Sequence, residues 1–134
     1  PDRLSDLLPL ADVVFLAAPL TGATRNLLGP DEFHLFREGA YFIAVGRGST
    51  YDLDALVEVL GEGRLAGAGL DVLEPSPPPE DHGIWKFHNV IITPHMAGQS
   101  AGGWQRRADL LEDNVRRFVS GLPLRNVVDK RLGY

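Results

Sequence analysis

The chain has 134 residues, a formal net charge of −5 and 44% hydrophobic residues. That is enough for one domain with a real core, and the acid excess argues against nucleic acid as a main partner. There is no cysteine, which excludes disulfides and thiol catalysis and leaves the cytoplasm as the expected home. No apolar run approaches the roughly 18 residues that span a bilayer. The start, Pro1-Asp2-Arg3-Leu4, lacks the basic and apolar regions of a signal peptide, so no membrane partner is expected. Charge is uneven, with a balance of +3 over residues 100–134 against −8 over residues 1–99. The basic end reads as the solvated face of a helix.

In chain order, residues 12–17 form a continuous apolar run closed by Pro19, the pattern of a strand buried on both faces. A short helix is expected from Asp31, as its cap, to Phe36. Gly39 ends it, and residues 40–45 give a second buried strand. Asp52 opens a helix whose Leu53, Leu56, Val57 and Leu60 recur at helical spacing, and Gly61 and Gly63 mark its end. Residues 65–70 form a third strand, so rich in Gly and Ala that a neighbouring backbone must pack closely. The prolines of 74–79 exclude regular structure. Residues 89–93 form a fourth strand. A long amphipathic helix runs from about Ala101 to Val119, with Leu110, Leu111, Val115, Phe118 and Val119 as its apolar face, stopped by Gly121 and Pro123.

This alternation predicts an α/β fold with a parallel sheet and right-handed crossovers. Strands of such a sheet end on one side, and ligands bind at that edge. Three strand ends carry chemistry: Gly46-Arg47-Gly48, Leu70-Asp71-Val72 and Thr93-Pro94-His95. An arginine, an aspartate and a histidine on one rim suit a small carboxylate. No Gly-x-Gly-x-x-Gly turn follows any strand, so the phosphate-cradling element of nucleotide-binding sheets is missing. His34, His82 and His88 read as surface or structural residues, since no metal-ligand spacing supports them.

The order Pro19-Leu20-Thr21…Thr24, Gly46-Arg47-Gly48, Leu70-Asp71-Val72, Trp85, Asn89-Val90, Thr93-Pro94-His95 and Gly133-Tyr134 resembles the D-isomer-specific 2-hydroxyacid dehydrogenases. Glyoxylate/hydroxypyruvate reductases and phosphoglycerate dehydrogenases are among that family's members. The resemblance implies the second half of a Rossmann-type, doubly wound parallel sheet over residues 1–98. Residues 99–134 would be a C-terminal helix and tail returning toward a substrate domain. It also implies NAD or NADP as cofactor, a small 2-oxo or 2-hydroxy acid as substrate, and a homodimer.

By the same resemblance, Arg47 grips the substrate carboxylate, and His95 is the acid/base that exchanges a proton with the carbonyl or hydroxyl oxygen. Asp71 would lie beside the nicotinamide ring. Val45 and Gly46 would bring backbone to the cofactor, Ala18 and Pro19 would line its ribose, and Met96, Ala97 and Gly98 would sit near its carboxamide. The chain departs from the family in two places. Ser76 stands five residues after Asp71, where the family carries a glutamate that hydrogen-bonds the catalytic histidine. Glu74 is two positions too early to replace it. Ala44 stands where many relatives have asparagine.

Without the glycine-rich turn, tight dinucleotide binding by these residues alone is not expected. The strand at 12–17 would be a bare apolar edge unless the chain is a piece of a longer protein or oligomerises. A piece is the favoured expectation. Two rival readings remain open at this point: a non-catalytic nucleotide sensor like the C-terminal-binding corepressors, and an inert self-associating fragment.

Overall fold

The structure, a computed structural model, describes residues 3–134, which fall into two compact units, the first ending at Met96 and the second spanning Ala97–Tyr134. In the first unit, four strands make one parallel sheet in chain order. They are β1 (Val13–Leu16), β2 (Ala40–Ala44), β3 (Leu65–Leu70) and β4 (Val90–Ile92). Helix α1 (Leu4–Leu7) precedes β1, a helical turn that the sequence pattern did not disclose. Helix α2 (Pro30–His34) precedes β2, and α3 (Leu53–Gly61) joins β2 to β3.

α3 begins where expected, because the Asp52 side chain accepts from the amides of Asp54 at 2.9 Å and Ala55 at 3.0 Å. The cap of α2 is not Asp31. Gly29 takes that position, and the Glu32 carboxylate reaches back to its amide at 3.0 Å, so Pro30 and Asp31 are already helical.

Residues alternate across a strand, and the register sorts them into two faces. On one, Leu16, Phe42, Ala44, Ala68 and Leu70 are buried together with Phe33, Phe36, Leu56 and Val59 of the helical layer. Phe42 sits at its centre, edge-on to Phe33 at 5.3 Å and to Tyr51 at 5.2 Å between ring centroids. The opposite face is open. Val13, Phe15, Tyr41 and Ile91 are all exposed, Phe15 to 68%. The expected burial of residues 12–17 on both faces is therefore corrected. β1 is an edge strand, helices α2 and α3 cover only one side, and Leu16 alone of its four residues is buried.

The glycine and alanine content of β3 has the expected cause. A Cβ on Gly67 would come within 2.5 Å of the Asn89 carbonyl oxygen. That same oxygen accepts from the Ala68 amide at 3.0 Å, so chain and chain run too close for a side chain.

In the second unit, α4 (Gly103–Val119) starts two residues later than expected, after Gly102 in the left-handed region at φ 71°. Its predicted apolar residues do not form a core. None of its residues is buried, and Leu111, Val115, Phe118 and Val119 are all exposed. Among the described residues, no helix is long and apolar enough to cross a membrane.

Candidate functional site

The strand ends are level. Leu16, Ala44, Leu70 and Ile92 pair in one row across the sheet. The ladder continues one residue further, with amide-to-carbonyl bonds from Val45 to Leu16 at 3.0 Å, Asp71 to Ala44 at 2.9 Å and Thr93 to Leu70 at 2.9 Å. The chain thus leaves the sheet at one rim. Ala17–Pro19, Val45–Arg47, Asp71–Val72 and Thr93–Met96 are the segments it delivers there.

Two close approaches hold the segment that carries Arg47. A Cβ on Gly46 would lie 2.7 Å from the Ala18 carbonyl oxygen, and one on Gly48 only 2.2 Å from the Leu73 carbonyl. The glycines on both sides of Arg47 are therefore required by neighbouring backbone. Further bonds staple this segment in place. Thr50, fully buried, donates from its hydroxyl and its amide to the Arg47 carbonyl, at 2.5 and 3.1 Å. The Tyr51 hydroxyl donates to the Val72 carbonyl at 2.7 Å, and burial pushes that phenol well above its ordinary range. The Arg47 guanidinium itself is exposed and donates to its own Gly46 carbonyl at 2.9 Å. One such bond leaves the rest of the five-donor fork to meet a carboxylate.

His95 lies beyond β4, with β3 between it and the Arg47 segment. It lines a cavity of about 410 Å³ together with Leu73, Ser76, Trp85, Ile92 and Thr93. Arg47 does not line this cavity. The shared rim is what brings the two residues to the same side of the sheet. Ser76 and His95 line the same cavity, so the position at which the resemblance expects a glutamate shares a cavity with His95. Glu74 does not replace it. Its carboxylate accepts from Ser49 at 3.1 Å and lines a separate cavity of about 320 Å³, with Arg25, Asp52, Asp54 and His82.

Asp71 is buried, 5% exposed, and its Oδ1 accepts from the Thr93 hydroxyl at 2.6 Å and the Met96 amide at 2.8 Å. Ala18 is half-buried and Pro19 exposed; the Pro19 carbonyl accepts from the Thr24 hydroxyl at 2.6 Å, which closes the turn after β1. Val45 and Met96 present apolar side chains at the rim, 37% and 45% exposed. Ala97 and Gly98 belong to the second unit, where the Gly98 carbonyl accepts from Arg107 at 3.0 Å. Of the remaining histidines, His82 caps the turn Gly83–Lys86 by accepting from the Ile84 amide at 3.2 Å. His34 bonds the Pro30 carbonyl at 2.8 Å, which with the nearby Glu62 raises its pKa. Among the described residues, no group of His, Asp or Glu could hold a metal ion.

The rim suits the nicotinamide end of a dinucleotide. It offers exposed apolar surface at Val45 and Met96 on strand-end segments that flank the buried carboxylate of Asp71. Sequence reasoning gave Thr93 no role of its own; its hydroxyl bonds the Asp71 carboxylate. No signal in the sequence marked it, since the strand register that sets Thr93 beside Asp71 is decided by the fold.

Similarity to known proteins agrees with this geometry. A glyoxylate reductase from Thermofilum pendens is 38% identical over 118 residues, covering 88% of this chain and 35% of that protein. A glycerate dehydrogenase from Methylorubrum extorquens is 38% identical over 128 residues, covering 94% of this chain and 40% of that protein. A D-isomer specific 2-hydroxyacid dehydrogenase from Xanthobacter autotrophicus, solved in complex with NADPH and MES, superposes with a TM-score of 0.90 at 36% identity. The match covers 99% of this chain and 54% of that one. An NADPH-dependent glyoxylate/hydroxypyruvate reductase from Sinorhizobium meliloti, solved with NADP and sulfate, gives 0.88 at 33% identity, covering 99% and 43%. The chain thus spans about two fifths of the length of these two curated relatives. Since these relatives carry the names of reductases and dehydrogenases, the non-catalytic sensor is not favoured. Residues 1–97 match the family described as D-isomer specific 2-hydroxyacid dehydrogenase, NAD binding domain, and to that family this chain belongs.

Proposed function

We propose that the chain supplies the nicotinamide-facing part of an NAD(P)-dependent 2-hydroxyacid dehydrogenase acting on a small 2-oxo acid such as glyoxylate or hydroxypyruvate. The observation that carries this reading is the level row of strand ends, which delivers Arg47, Asp71 and the His95 turn to one rim. When bound, the dinucleotide supplies the hydride in reduction and accepts it in oxidation. Arg47 offers parallel N–H donors to the substrate carboxylate and a permanent charge beside its carbonyl. His95 gives a proton to the carbonyl oxygen as the carbon is reduced, becomes neutral imidazole, and is reprotonated from solvent. An imidazole can both give and take a proton, which suits that exchange.

In this reading Ala18 and Pro19 line the nicotinamide ribose, and Val45 and Gly46 bring backbone to the ring. Asp71 lies beside the nicotinamide ring, and Met96, Ala97 and Gly98 lie near its carboxamide. Residues 1–98 act as the cofactor half and 99–134 return toward a substrate domain. The reading includes assembly as a homodimer. A cytoplasmic location accompanies the reading, because reduced NAD(P) is an intracellular cofactor.

The test is NAD(P)H consumption with glyoxylate by the full-length protein. Turnover is expected, with His95→Gln lowering kcat by about 10²–10⁴. Nucleotide binding without turnover of any small 2-oxo acid would refute the reading.

A further inference from the structure

His95 is held in an unusual way. Its backbone lies in the left-handed region at φ 52°, and its amide donates to the Thr93 carbonyl at 3.0 Å across a tight turn. Residues other than glycine are uncommon there, although histidine is among those that adopt it more often, and the surroundings stabilise the conformation. The surroundings are identifiable. Thr93 and Met96 bracket the histidine, and both donate to one oxygen of Asp71, at 2.6 Å from the Thr93 hydroxyl and 2.8 Å from the Met96 amide. Asp71 is itself anchored, since its amide belongs to the sheet ladder and its side chain is buried. Thr93 lines the same cavity as His95, yet its hydroxyl is turned to the carboxylate.

We propose that Thr93 is a positioning residue for His95. Its hydroxyl and the Met96 amide clamp the two ends of the turn onto the buried Asp71 carboxylate, and that clamp sets the direction of the imidazole. The inference rests on the proton-transfer role proposed above for His95. Asp71 then has a task beyond its place beside the cofactor: its carboxylate anchors the segment that carries the acid/base.

The experiment uses the full-length protein with NAD(P)H and glyoxylate, comparing Thr93→Val, Thr93→Ser and His95→Gln. Valine keeps the shape of threonine and removes the donor. Misplacing a reacting group by about 1 Å costs on the order of a hundredfold, so Thr93→Val is expected to lower kcat about ten- to a hundredfold. KM for glyoxylate should stay within about twofold, because the Arg47 segment is held by separate contacts. Thr93→Ser restores the hydroxyl and should recover kcat to within about threefold of the parent. Parental kcat in Thr93→Val, or a serine variant as slow as the valine one, would overturn the proposal. If His95→Gln is slow and Thr93→Val is not, only the clamp fails; if His95→Gln turns over like the parent, the proton-transfer reading itself fails.

A measurement on the unsubstituted protein covers the case in which Thr93→Val does not fold. The Met96 residue is 45% exposed, yet its amide is tied to a buried acceptor. Its hydrogen exchange should be at least about tenfold slower than in a free peptide. Exchange at the free-peptide rate would show that the clamp is absent.

Discussion

Ser76→Glu puts a carboxylate at a position that shares the His95 cavity. The cavity, about 410 Å³, has room for the longer side chain. A hydrogen bond to a charged partner contributes roughly 1.5–3 kcal/mol. If it is realised only as His95 takes on charge, it corresponds to about one to two powers of ten in rate. Ser76 and His95 are both exposed, so solvent screening places the expectation at the lower end, about tenfold. A carboxylate beside an imidazole favours its protonated form and carries the proton-donating species to higher pH. The gain in carbonyl reduction should therefore be largest at neutral and higher pH. The assay is NAD(P)H oxidation with glyoxylate by the full-length protein from acid to alkaline pH, with Ser76→Gln as a neutral control of similar size. Parental rates for Ser76→Glu at every pH, or an equal gain from Ser76→Gln, would refute the reasoning.

Four further outcomes follow from the structure. Gly48→Ala places a methyl 2.2 Å from the Leu73 carbonyl, so backbone must move; thermal unfolding should shift down by about 4–12 °C, for a cost of ~1–3 kcal/mol. Tyr51→Phe leaves the buried Val72 carbonyl without its donor, and denaturant titration should show a loss of ~1–3 kcal/mol. The Tyr51 phenol titrates above its ordinary value when folded, so its contribution is complete below about pH 10 and declines as the unfolded chain ionises first. Parent and Tyr51→Phe stabilities, measured by denaturant midpoint, should accordingly converge as pH rises past that value. At the other extreme, Arg117 bonded to Asp113 at 2.9 Å holds that carboxyl below its usual pKa. The resulting support for the C-terminal half of α4 is present above about pH 3.9 and lost as acid protonates Asp113, which amide exchange along the helix would record.

How far the sequence could be read depended on how local the governing forces were. The strands at 40–44 and 65–70 and the helix opened by Asp52 follow from apolar runs, spacing and a cap, all properties of adjacent residues. The start of α2 was misplaced because Gly29, with no side chain to advertise a cap, is completed by Glu32 three residues on. Phe15 and Leu111 illustrate a second limit. An apolar residue in a periodic pattern needs a partner, and periodicity cannot say whether the partner is present; both are exposed.

For the site, the motifs around Arg47, Asp71 and His95 were legible as residue types at strand ends. That Ser76, and not Glu74, belongs with His95 came from the family resemblance and from no local pattern, because two positions in a proline-rich segment without periodicity can face opposite ways. By itself, then, the order of residues determined the alternation of strands and helices and which chemical groups stand at the strand ends, since both are written in neighbouring positions. Only the tertiary structure decided that those ends are level, that Gly48 must stay bare against Leu73, and that Thr93 and Met96 meet on one oxygen of Asp71. Those facts arise where segments more than twenty residues apart touch, and no local pattern encodes such distances.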